Sequence, residues 1–145
     1  MDTNRVGPAQ IRPAPADGGR LLRLALKLDA LATGALGLLL AVASPALDSA
    51  LGVPTSVLVG AGLFLAGYAG WLAYIGTRPA VSYSAAWAAV AVNALWVVLS
   101  VLLIGAGWFS LTVLGVAFVL VQAAAVAIFV DLQFLGLRRA GPALS

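Results

Sequence analysis

Asn93 and Gln122 are polar residues set near the middle of stretches otherwise apolar enough to cross a bilayer. A side-chain amide in hydrocarbon costs roughly 2–7 kcal/mol while its donors and acceptors stay unpaired, so each demands a partner. Asn93, Trp96 and Ser100 recur at i, i+3 and i+7 and share one helix face; Gln122, Phe129 and Gln133 form a second stripe at i, i+7 and i+11. Two readings fit. Either the amides of Asn93 and Gln122 bond each other across a helix pair and set its register, or Asn93, Trp96, Ser100 and Gln122 wall a pocket. In that pocket Trp96 would offer an apolar surface and the amides would orient a ligand's polar group.

Acidic residues inside apolar runs are the other chemical candidates. At 100° per residue Asp29 points away from Arg23 and Lys27, so no base one helical turn away neutralises it. It opens the series Asp29, Thr33, Gly37, Ala41, whose small and polar residues would let another backbone approach closely. Asp29 reads as an interfacial carboxylate reached by water, the alternative being an embedded carboxylate used in transport. Asp131, at the end of the last span, has Arg138 seven residues on along the same face, which suggests a solvated ion pair.

Composition removes most other chemistry. The 145 residues include no cysteine and no histidine, which excludes disulfides, thiolate or imidazole metal sites and nucleophilic triads built on a histidine base. We therefore expect no catalytic residues, no metal and no cofactor. With 63% hydrophobic and 9% charged residues, against about 25% charged in a soluble domain, the solvent has to be lipid. The net charge of +3 comes from bases at the ends of apolar runs, where they report membrane orientation and not nucleic-acid binding.

The elements that must carry these residues follow from span length. A hydrocarbon core of roughly 30 Å takes about 20 helical residues, and apolar runs cover about 28–47, 56–76, 81–104 and 111–130. Short connectors force neighbouring helices antiparallel. The expected fold is all-α, an antiparallel bundle of four transmembrane helices in a polytopic membrane protein. Residues 1–19, rich in Pro, Gly and Ala, read as a disordered tail; 20–139 form the transmembrane domain and 140–145 a C-terminal tail. Pro54 with Thr55 and Ser56 marks a helix entry, and Ser110 is placed to cap the last helix. Gly62, Ala66 and Gly70, spaced by four, predict a close helix interface within one chain or between two.

Arg5, Arg12, Arg20, Arg23 and Lys27 precede the first span, Arg78 lies in the second connector, and Arg138 and Arg139 follow the last span. All fall on one side of a four-span arrangement, which the positive-inside rule assigns to the cytoplasm together with both termini. Ala41-Val42-Ala43 resembles a signal-peptide cleavage site, but the run continues past signal-peptide length. Arg20, Arg23 and Lys27 form a basic stripe among leucines, suited to anionic lipid headgroups.

In Asp29 and Thr33, one turn apart in the first span, the chain resembles the small multidrug resistance transporters over that one helix, with Asp where that family has Glu and with a longer basic tail. Ala91-Val92-Asn93-Ala94-Leu95-Trp96 does not match the glycine-rich asparagine context of fluoride channels. In composition and topology the chain looks most like small four-helix integral membrane proteins of high-GC bacteria, which implies the inner membrane and no particular activity. The expectation is a non-enzymatic protein acting by helix packing, as a homodimer or with a membrane partner. The alternatives are a dimeric small-molecule or ion transporter or channel, and a binder of a lipid or quinone-like ligand.

Overall fold

The computed structural model describes residues 17–141, so the tail expected over 1–19 lies outside the described residues except at its end, as do residues 142–145. The chain runs α1 (Asp17–Val42), α2 (Ser44–Leu51), α3 (Thr55–Thr77), α4 (Tyr83–Gly105) and α5 (Val113–Ala140), with no strand among the described residues. The fold is all-α, and α1, α3, α4 and α5 are each long and apolar enough to cross a membrane.

Three boundaries differ markedly from the sequence reading. The basic flank is continuous with the first span, so α1 begins at Asp17 and ends at Val42. The run to Leu47 is broken because Pro45, which has no N–H, occupies the first turn of a separate helix, α2. The last helix extends to Ala140, well past Val130.

Helix α1 is the hub. It packs most extensively on α3 and α5; α4 packs on α5, while α3 and α4 keep their backbones further apart. The small-residue stripes meet inside the chain. A Cβ on Gly37 would stand 2.8 Å from Gly62 O, and one on Gly62 would stand 2.6 Å from Gly37 O and from Ala41 N. Only glycine permits this approach of α1 and α3. Gly136 does the same for α5 against Leu22 of α1, at 2.9 Å. Gly70, the last of the expected stripe, faces open space.

The seam between α3 and α4 is filled by side chains. Phe64 stacks on Trp96 with ring centroids 6.1 Å apart, and Phe64, Tyr68 and Trp71 stack along α3 at 6.2 and 5.8 Å. Leucines, valines and isoleucines such as Leu31, Leu38, Leu63, Val121 and Ile128 are exposed around the bundle. In water so much apolar surface would drive association; facing acyl chains it needs no cover.

At one end of the bundle lie the bases of the described residues. Arg23 Nη1 donates to Pro79 O at 2.6 Å, Arg78 donates to the Tyr74 hydroxyl and stands 4.6 Å from that ring's centroid, and Arg138 lies 5.7 Å from the Phe134 centroid. No ion pair joins Arg138 to Asp131 among the described residues, so the expected helix-end pair is not formed; Asp131 is exposed.

The other end is stapled through α2. Asp48 Oδ2 accepts from the Thr55 N–H at 2.8 Å and from its hydroxyl at 2.7 Å, closing the start of α3. Gly52, at φ 74°, ends α2 in the left-handed region. Thr112, not Ser110, caps α5: its hydroxyl accepts from Gly115 N at 2.9 Å and donates to Ala50 O at 2.6 Å, while its N–H reaches Leu51 O at 3.1 Å. The Asp48 carboxyl is held below its ordinary value of 3.8, first by the Thr55 hydroxyl and then by the Thr55 N–H, with desolvation opposing.

Candidate functional site

Asp29 sits twelve residues from the start of α1 and thirteen from its end, near the middle of a helix that the sequence reading began at Leu28. Packing of α3, α4 and α5 around that position encloses the carboxylate, which is 0% exposed. The expectation that water reaches Asp29 is therefore corrected. The apolar cluster on its basic side contains Leu22, Leu26, Leu72 and Leu137, and the cluster on the other side Leu40, Leu58 and Leu65.

Donors from three helices converge on the two carboxylate oxygens. Thr33 Oγ1, one turn on in α1, donates to Asp29 Oδ1 at 2.8 Å. Asn93 Nδ2 from α4 and Gln133 Nε2 from α5 both donate to Asp29 Oδ2, at 2.5 and 2.7 Å. Asn93 Nδ2 also reaches Gln133 Oε1 at 3.2 Å, and the Tyr68 hydroxyl of α3 lies 3.1 Å from both Asn93 Oδ1 and Ala89 O. All four membrane-spanning helices thus meet in one polar layer. Burying an unpaired ion costs several kcal/mol, whereas each hydrogen bond to a charged group returns about 1.5–3 kcal/mol. Three such bonds are of the same size as the penalty, so the layer can hold a carboxylate with no base beside it.

Asn93 and Gln122 do not bond each other. Gln122 belongs to a second cluster one step nearer the α2 end, where Trp96 Nε1 donates to Gln122 Oε1 at 2.8 Å and Gln122 Nε2 donates to Ser100 Oγ at 2.9 Å and to Val119 O at 3.1 Å. The Ser100 hydroxyl turns back to Trp96 O at 2.8 Å. The face Asn93, Trp96, Ser100 does point inward as expected, but it serves two clusters in succession. No buried side-chain polar atom lacks a partner among the described residues.

Beside the second cluster is a cavity of about 380 Å³, bordered by α1, α2, α3, α4 and α5. Leu36, Leu40, Leu58 and Phe118 line it with other apolar residues, and Ser100, Gln122 and the Trp96 indole are the polar groups on its wall. Val57 and Leu99, both exposed, also line it, so it reaches the lipid-facing surface. Its volume lies within the roughly 300–1,000 Å³ of ligand sites.

Gln133 and Tyr68 are the members that sequence reasoning missed. Gln133 lay on the recognised stripe with Gln122, yet fell beyond a span ended at Val130; Tyr68 carried no signal besides its hydroxyl in an apolar run. Asp, His, Cys and Glu form no cluster fit to hold a metal among the described residues. Compared with protein-family models, curated proteins and solved structures, the chain shows no significant match to any.

Proposed function

We propose that this multi-pass membrane protein binds the apolar chain of a lipid or quinone-like molecule in the cavity beside Trp96, Ser100 and Gln122. The observation that carries this is the cavity's lining. An apolar cavity excludes water, leaving its walls without the dispersion contacts that a close-packed interior has, and the medium at its mouth is hydrocarbon. A chain entering past Val57 and Leu99 restores those contacts. Binding of this kind requires no catalytic group.

The distribution of bases supports an orientation with both termini in the cytoplasm of a bacterial inner membrane. The headgroup layer there would supply anions to Arg20, Arg23 and Lys27. A second reading, association with another copy or a membrane partner, is favoured by Gly60, Gly67 and Gly70 of α3, where a Cβ would meet nothing. The Gly37–Gly62 contact, by contrast, is spent within the chain.

Native mass spectrometry of the full chain from mild detergent tests both readings. One lipid or quinone retained per chain, and lost in Ala61→Phe, which fills the cavity, supports the binder. Wild type releasing no such molecule, with the helical circular dichroism intact, would refute it. Subunit number read from the same spectra decides the second reading.

A further inference from the structure

We infer that Asp29 is a proton-binding site, in which the carboxyl group gains and loses a proton at Oδ1 on the line to Thr33 Oγ1 while Asn93 and Gln133 hold Oδ2. The inference goes beyond lipid binding and does not depend on it.

The asymmetry of the two oxygens carries the argument. Asp29 Oδ2 accepts from two amide nitrogens, at 2.5 and 2.7 Å, which occupies both of its lone pairs. The orientation of these amides follows from their other contacts. The Tyr68 hydroxyl can donate to Asn93 Oδ1, which turns Asn93 Nδ2 toward Asp29, and Gln133 Oε1 accepts from Asn93 Nδ2, which turns Gln133 Nε2 the same way. A proton on Oδ2 would therefore have to displace an amide hydrogen.

Oδ1 differs, since its partner is a hydroxyl, which both donates and accepts. In the ionised form Thr33 gives its hydrogen to Oδ1 across 2.8 Å. In the acid form Oδ1 gives its hydrogen to Thr33 Oγ1, and the threonine hydrogen has to leave Oδ1, for which a small turn of the side chain toward a helix carbonyl one turn back supplies an acceptor. One proton is taken up from water, the O–H bond forms at Oδ1, and the site's charge changes from −1 to 0.

The surroundings leave this exchange to Asp29 alone. The groups facing the carboxyl are Thr33 from α1, Asn93 from α4 and Gln133 from α5, with Tyr68 of α3 behind Asn93. None is a base. Lys27 is exposed and Arg23 is engaged with Pro79 at the bundle end. Among the described residues no fixed positive charge therefore locks the carboxylate in one state, unlike a buried ion pair.

Infrared difference spectroscopy of the full chain in detergent, titrated in pH, tests this directly. The other four acidic side chains are also aspartates, so the Asp29→Asn variant makes the assignment. A protonated-carboxyl C=O band should grow as pH falls, vanish in the near-isosteric Asp29→Asn, and shift in Thr33→Val, which removes the partner of Oδ1 and leaves both donors to Oδ2. A spectrum identical in wild type and Asp29→Asn at every pH where the helical circular dichroism persists would overturn the proposal. So would an Asp29 band that ignores pH, or one that follows sodium at fixed pH, which would mark a cation site. A band unmoved by Thr33→Val would refute the assignment to Oδ1. Should Asp29→Asn fail to fold, the wild-type titration and the Thr33→Val shift decide alone.

Discussion

Gln133 Nε2 donates to Asp29 Oδ2 across 2.7 Å, joining the last membrane-spanning helix to the first over 104 residues of sequence. The same oxygen accepts from Asn93, so these two amides act on one atom and cannot be independent.

Their substitutions should show it. Gln133→Leu and Asn93→Leu should each cost about 1.5–3 kcal/mol if the acceptor is charged, and nearer 0.6–1.7 kcal/mol if it is neutral. The double mutant should depart from additivity by at least about 0.5 kcal/mol. Asn93→Leu with Gln122→Leu, which share no bond but border one small cavity, should couple less than that pair. Reversible unfolding in mixed detergent micelles measures all three, and a larger coupling for Asn93 with Gln122 than with Gln133 would contradict the arrangement.

On α3 glycine should matter most at Gly62, where the helix crosses α1, less at Gly76, where a Cβ would stand 3.3 Å from the Leu26 and Lys27 side chains, and not at Gly60, Gly67 or Gly70. Gly62→Ala puts a methyl 2.6 Å from Gly37 O and Ala41 N, so it should destabilise by about 1–3 kcal/mol through overpacking. Gly67→Ala, with open space around it, should change stability by no more than about 0.5 kcal/mol. Equal effects in the same unfolding assay would mean that the helices do not cross there.

Acid should loosen the stapled end of the bundle. Because the folded Asp48 carboxyl titrates below 3.8, its ionised form is the one the fold favours. The stabilisation it contributes is fully present above the ordinary carboxylate value and is lost as pH falls through the folded one. Thermal melts in detergent should show Tm dropping with acid below about pH 4 in wild type, and a shallower drop in Asp48→Asn. Parallel curves for the two proteins would remove Asp48 from this role.

Reporter fusions after Ser145 should read cytoplasmic, and those at Gly107 external. The mature protein should keep residues 1–43 in an intact-mass measurement, since cleavage after Ala43 would discard Asp29 and leave Gly62 and Gln133 without the helix they pack on. Loss of that segment would invalidate the packing described above.

The class of fold was legible because apolar runs of about 20 residues separated by turn-formers admit few alternatives. The polar centre was legible only in part. Asn93 and Gln122 stood out by contrast with their surroundings, but hydropathy ends a span where charge appears, and both ends of this fold run past that limit. Asp29 lay close to Lys27 and Gln133 beyond Asp131, so each looked peripheral. Helices α1 and α5 continue through these charges as helix, which places both residues at the axis. The pairing itself was out of reach, because depth alone allowed Asn93 to face Gln122. It is α1 passing between α3 and α5, set by glycines at 37, 62 and 136, that puts a carboxylate opposite Asn93 instead.

The wide sequence separation in the polar layer has a consequence for how the chain comes into being. Synthesis proceeds from the N-terminus, so α1 and α3 can form their glycine-to-glycine hairpin as soon as both have left the ribosome. At that moment Asp29 has Thr33 alone, gains Asn93 when α4 emerges, and waits for Gln133 until α5 has emerged as well. A chain arrested after the third span therefore carries an incompletely answered carboxyl inside an unfinished bundle. Completion of α5 answers it, making Asp29 a built-in marker that distinguishes the finished molecule from its fragments.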